Sequence, residues 1–223
     1  MKRMVCSFLL SMQLLSISIC ASADLRARVI EEQTNFPQGD LLDVEYVQSI
    51  LSYMYQIDQD VRVEFLQDLQ INGIIGRDLE HDELAILVHD VGAFHLNIMK
   101  QILAVHGWIT ISKFGVDADH QAWLLIQHND GDLFFKAGCL FVLTQLVENG
   151  QTDAQNYAYL YDRVCLNFGM KQKYGTQFMV TEDKEIVLYP YEGTLEDLNV
   201  RREKIGVVQS VAEYIELLGL VYA

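Results

Sequence analysis

Three short stretches hold most of the side chains able to do chemistry. The first is Gln127-His128-Asn129-Asp130, at the end of a predicted helix. A helix C-terminus favours a cationic imidazole, and Asp130 is close enough in sequence to orient the ring. A His with an oriented carboxylate is a usable acid/base pair. The plain alternative is a C-terminal His followed by an Asx turn. The second stretch is Asp162-Arg163. Ala154, Tyr157, Ala158, Tyr161, Cys165 and Phe168 form an apolar helical stripe, and Asp162 falls at its edge. A carboxylate there must be paired or must face a pocket. Helix neighbours point about 100° apart, so a structural ion pair with Arg201 or Arg202 competes with any chemical role. The third stretch is Tyr174-Gly175-Thr176-Gln177. In a strand, Tyr174 and Thr176 share one face and Gln177 takes the other. They line one pocket only if Gly175 marks a bulge or bend. Otherwise the segment is a strand-entry turn.

Read as one site, these residues take distinct roles. His128 is the expected acid/base, Asp130 orients it, and Asp162 is a second catalytic carboxylate. Gln127, Arg163, Tyr174, Thr176, Gln177 and Arg201 are the expected substrate-binding residues, through anion, amide and hydroxyl contacts. His81 and His95 lie on a helical core stripe, where a hydrogen-bonded core His is the commoner occupant. The sequence has no His-Glu-x-x-His, Cys-x-x-Cys, Gly-rich phosphate loop or Gly-x-Ser-x-Gly. Asn129-Asp130-Gly131-Asp132 resembles the start of a calcium loop, but its twelfth position is Leu140. No metal and no cofactor is predicted.

Helices must position these groups. Leu41–Tyr55 reads as one helix, and Asp58 as the cap of another running to Leu69, with Gly73 and Gly76 as stops. His81, Leu84, Val88, Val91, His95, Ile98 and Ile102 alternate spacings of three and four, which predicts a helix ending at Gly107. Trp108–Gly115 reads as extended, and Asp117–Gln127 as helix. Asp132 caps a helix to Val147, and Asp153 caps one to Gly169. Tyr174–Thr181 and Glu185–Tyr191 flank Glu182-Asp183-Lys184 as a β-hairpin. Ser210 and Glu213 form a capping box for a last helix. The expected fold is mainly α, a single-domain helical bundle with one small β-hairpin near the C-terminus.

Residues 1–23 read as a secretory leader. Lys2 and Arg3 precede an apolar run, and Ala21-Ser22-Ala23 supplies a cleavage pattern. The run is shorter than the roughly 20 apolar residues of a membrane span. The remainder divides into an N-terminal helical segment, 24–76, and a larger domain, 77–223. The full chain has 16 basic and 31 acidic residues. Cleavage would remove two basic residues and no acidic one, taking the net charge from −15 to −17. Such acidity argues against nucleic acid and anionic lipid as partners. The expected location is periplasmic or secreted, with no stable membrane insertion after cleavage. Cys139 and Cys165 would remain in the mature chain, as a disulfide or as two buried thiols.

The polar stretches occur in an order that resembles an uncharacterised bacterial family, a domain of unknown function. The pattern stands here as Gly107-Trp108, Gln127-His128-Asn129-Asp130, Tyr159-Leu160-Tyr161-Asp162-Arg163, Tyr174-Gly175-Thr176-Gln177 and Asn199–Arg202. That family often has a small residue at the place of Asn129 and an Asp near Asn199 or Val200. The resemblance covers roughly residues 80–220 and implies no activity, only that the clusters belong to one constellation. The expected function is an exported hydrolase acting on a small molecule or an envelope or extracellular component through a His/Asp/Arg cleft. The alternative is a non-enzymatic binding module whose polar cluster is a structural network.

Overall fold

A short helix, α1 (Ser22–Thr34), leads toward a stretch, Leu41–Asn72, that contains neither Gly nor Pro. Nothing in the local chemistry of that stretch stops a helix. The computed structural model describes residues 22–72, 82–181 and 186–222, and in it one continuous helix, α2, spans Val44–Asn72. Asp58 was expected to cap a second helix. It lies instead in the middle of α2, because its carboxylate finds tertiary partners and has no need of a free helix end. Val47, Ile50, Leu51, Met54, Ile57, Val61 and Phe65 form the buried face of α2. Burying an aliphatic side chain of this size contributes about 1.5–3 kcal/mol relative to exposure.

Helix α3 runs from Glu83 to His106. The Asp82 carboxylate accepts from the N–H groups of Leu84 and Ala85, and Gly107 closes the helix at φ 75°. Val91, His95 and Ile102 face inward, as the stripe predicted, and Met99 is buried with them. Leu25 and Val29 of α1 pack with Ile57, Val61 and Val91.

Trp108–Gly115 is not extended. It turns through a single helical turn, α4 (Ile111–Phe114), into α5 (Val116–His128). Trp108, Ile109 and Phe114 are buried, so their apolar side chains are satisfied by packing. Their backbone bonds close locally, with the Thr110 carbonyl accepting from Lys113 and Phe114. Gln48 of α2 caps the turn by donating to the Phe114 carbonyl, 2.7 Å.

Beyond Gly131, α6 (Leu133–Val147) and α7 (Ala154–Asn167) start at Asp132 and Asp153, each of which caps its helix as expected. Strands β1 (Phe178–Val180) and β2 (Ile186–Leu188) pair antiparallel, with Phe178 opposite Leu188 and Val180 opposite Ile186. The first strand therefore begins four residues later than Tyr174. Helix α8 (Leu195–Lys204) was not anticipated from the sequence. A capping box of Thr194 and Asp197 starts it. Helix α9 (Val211–Tyr222) begins at the expected Ser210–Glu213 box.

The fold is mainly helical with one small hairpin near the C-terminus. Two compact units share it, one reaching Gly131 and the other beginning at Asp132. The helices on either side of residue 76, α2 and α3, belong to the first unit. Among the described residues no helix is long and apolar enough to cross a membrane. Residues 1–21 of the leader with Cys6 and Cys20, the stops Gly73 and Gly76, His81 and the hairpin turn 182–184 lie outside the described residues.

Cys139 on α6 and Cys165 on α7 are both buried free thiols. Burial pushes the Cys139 thiol up to about 12 and that of Cys165 up to about 11, so neither is a thiolate at neutral pH. Alkylation without reductant, followed by peptide mass spectrometry, will label both cysteines in denaturant and neither one readily in the native protein.

Candidate functional site

The Asp162 side chain leaves α7 and enters no ion pair with Arg163. It is fully buried, and its oxygens accept from the backbone N–H groups of Lys173 (2.6 Å), Tyr174 (3.0 Å) and Thr176 (3.0 Å) and from the Thr176 hydroxyl (3.0 Å). Among the described residues only Gln177 of the segment Lys173–Gln177 bonds across the hairpin, its O accepting from Tyr189 N (3.2 Å), so the carboxylate takes the donors before it. The carbonyls are treated the same way. Arg201 Nε donates to Lys173 O (2.7 Å), Arg202 Nη1 to Tyr174 O (3.0 Å) and the Tyr214 hydroxyl to Thr176 O (2.9 Å). Gln172 completes the set. Its amide N–H donates to Gln177 O (2.9 Å) and its Oε1 accepts from Gln177 N (2.9 Å). Apart from Gly175, every backbone N–H and C=O from 173 to 177 is bonded.

Gly175 makes this loop possible. Its φ is +66°, and a Cβ there would lie 2.9 Å from Leu198 Cδ1. The bend that would let Tyr174, Thr176 and Gln177 escape strand alternation is therefore present, but the residues are buried and bonded inward. The Gln177 amide donates to Thr176 Oγ1, 3.1 Å. Burial pushes the Asp162 carboxyl above its ordinary range, against the pull of the Tyr174, Lys173 and Thr176 donors. Arg163 is buried too. The structure thus brings together Asp162, Tyr174, Thr176, Gln177 and Arg201, and adds Gln172, Arg202 and Tyr214.

Gln127, His128 and Asp130 belong to the first unit. His128 and Gln127 are buried, whereas Asp130 is exposed. The carboxylate on His128 Nδ1 is that of Asp58, 70 residues upstream, at 2.7 Å. The other oxygen of Asp58 accepts from Arg62 Nε at 2.9 Å, one helical turn along α2. Gln59 adds a third donor at 3.1 Å. Burial alone would raise the Asp58 carboxyl, but Arg62 and His128 outweigh it and hold the group well below the ordinary carboxylate range. A parallel pair, His95 Nε2 with Glu32 Oε1 at 2.8 Å, is equally buried.

The rest of the first motif is structural. Asn129 donates to Gly92 O of α3 at 2.5 Å and accepts from Gly131 N at 2.8 Å, which pins the end of α5. Trp108 Nε1 donates to the buried Asp119 carboxylate at 2.9 Å, which explains the Gly-Trp element. Among the described residues no three His, Cys, Asp or Glu side chains are grouped to hold a metal ion. Sequence reasoning missed Asp58 and Arg62. A signal existed, since both interrupt the apolar face of α2 at a spacing of four.

Two outcomes follow from these clusters. Asp162→Asn presents an amide N–H₂ to backbone donors, and it is expected to cost at least about 2 kcal/mol, a melting shift of roughly 4–8 °C. Asp58 has a folded pKa below its unfolded one, so its stabilisation is complete above the ordinary carboxylate pKa. It drains as pH falls through the folded value. Between about pH 5 and about pH 3, the melting temperature of Asp58→Asn will fall less than that of the wild type.

No curated protein and no solved structure matches the chain. A family model does, described as a family of unknown function (DUF6624), over residues 45–223. That span takes in α2 with Asp58 and Arg62, α5 with His128, and the whole clamped loop, so the chain belongs to this family of unknown function.

Proposed function

We propose that the protein is an exported hydrolase in which His128 is the acid/base. One observation carries the reading: Asp58 holds His128 Nδ1 at 2.7 Å while Arg62 holds Asp58 from behind at 2.9 Å. A carboxylate on Nδ1 fixes the ring's tautomer and orientation and stabilises the imidazolium that forms when Nε2 takes a proton. Asp58 replaces Asp130 as the orienting group in this mechanism. Arg62 keeps Asp58 ionised and in place, so the pair need not reorganise during proton transfer. Asp162 acts as the anchor of the Tyr174–Gln177 loop, since its oxygens are engaged. Gln127, beside His128 in the first unit, remains the proposed substrate-binding group. The leader-like residues 1–23 support export and a substrate in the envelope or outside the cell.

A second reading has its own support. The saturated bonding of Asp162 and its loop is what a structural network requires, and a net charge of −15 suits a basic partner. On that reading the molecule is a binding module without catalysis.

The readings part on one experiment. Wild-type protein, His128→Gln and Asp58→Asn are melted and then assayed on ester, amide, phosphoester and glycoside substrates. The hydrolase reading expects wild-type turnover of one class, and a folded His128→Gln reduced by about 10²-fold or more. Full activity in a folded His128→Gln, or wild-type silence on all four classes, overturns it.

A further inference from the structure

Lys173 is placed unusually for a lysine in so acidic a chain. Among the described residues its ammonium joins no ion pair. It lies over the ring of Tyr161 at 5.1 Å and over that of Tyr174 at 5.4 Å. A third ring packs behind these two. Tyr157 meets Tyr161 at 5.9 Å and Tyr174 at 6.0 Å, and Tyr161 meets Tyr174 at 5.4 Å, all edge-on. Two ring faces on the cation, backed by a third ring, form an aromatic cage, and the faces of Tyr161 and Tyr174 supply the attraction.

The cage is built rigidly. Tyr157 and Tyr161 are one turn apart on α7, and Tyr174 is fixed by its own N–H to Asp162 and its own C=O to Arg202. Tyr157 and Tyr174 are buried, while Tyr161 and Lys173 are half-buried, so the opening is on the Tyr161 side. Burial, with Tyr157 next, pushes the Tyr174 phenol far up, and burial raises Tyr161, so the walls stay neutral. After burial, Cys165 and Tyr157 come Glu192 and Asp162, which act on Tyr161 in the same direction, and the ring faces themselves attract positive charge. Cations are favoured there, and the ring faces offer no acceptor as strong as the water a primary ammonium gives up. A quaternary ammonium gives up less.

We propose that the Tyr157–Tyr161–Tyr174 cage is a binding site for an organic quaternary ammonium, and that the Lys173 side chain is its tethered, self-blocking occupant. The site lies wholly in the second unit and is independent of His128. Lys173 holds the loop through backbone groups, its N–H to Asp162 and its C=O to Arg201. Removing the side chain therefore unblocks the cage without cutting those bonds.

The test uses choline as probe and 3,3-dimethyl-1-butanol as its neutral isostere, by isothermal titration and saturation-transfer NMR. Lys173→Ala is expected to bind choline about tenfold more tightly than the wild type, because a tethered competitor has been removed. The neutral isostere should bind neither protein, and adding Tyr161→Leu should abolish the gain. Lys173→Gln serves as the second variant, and melting curves establish that each is folded. No choline binding by either folded Lys173 variant overturns the proposal, as does equal binding of the neutral isostere or binding that survives loss of Tyr161.

Discussion

A fully buried carboxylate must be surrounded by donors, and the donors of Asp162 come almost entirely from the backbone of one loop. That constraint organises the second unit. A segment with no ladder of its own obtains one from side chains: a carboxylate on α7, two arginines on α8, a tyrosine on α9 and a glutamine at the loop's own start. Three helices and the adjoining Gln172 are tied to five consecutive residues. The hairpin and the last two helices are short, and the polar loop supplies cohesion that their apolar area does not.

The first unit meets the same constraint by another route. Asp58 is satisfied by Arg62 and His128, two groups able to carry positive charge, so its carboxyl is driven down. Asp162 has only neutral donors in its bonding shell, so burial prevails and its carboxyl is driven up. The contrast has a chemical meaning. A carboxylate paired with an imidazole can support proton transfer, whereas one wrapped in backbone amides holds a shape. The cage of tyrosines depends on that second function, because Tyr174 is placed by the bond that Asp162 makes to its N–H.

The helices were largely legible in the sequence, since their signals are local. Asp132, Asp153 and Ser210–Glu213 cap where their side chains reach the next turn, and Gly107 ends α3 where a positive φ is needed. The failures share a cause. Asp58 imitated a cap because Asp near a helical run usually is one, but its partner on α5 is 70 residues away. Trp108–Gly115 imitated a strand because Trp, Ile and Phe favour strands, but burial against α2 and α5 satisfied them without a ladder. The Tyr-Gly-Thr-Gln stretch imitated a strand entry until Gly175 turned it inward.

By itself, then, the sequence determined where most of the helices lie and begin, and that the polar residues of the three motifs stand where apolar ones belong. Helix caps and periodic stripes depend on neighbours three or four positions away, and a single chain displays those directly. Only the tertiary structure decided which carboxylate faces which donor. His128 has an Asp two residues along and is bonded by another from a different helix. Asp162 has an Arg beside it and is bonded by a loop 11 to 14 residues on. Partner choice among buried polar groups is set by how the elements pack, because desolvation makes each group take whatever donor the packing delivers.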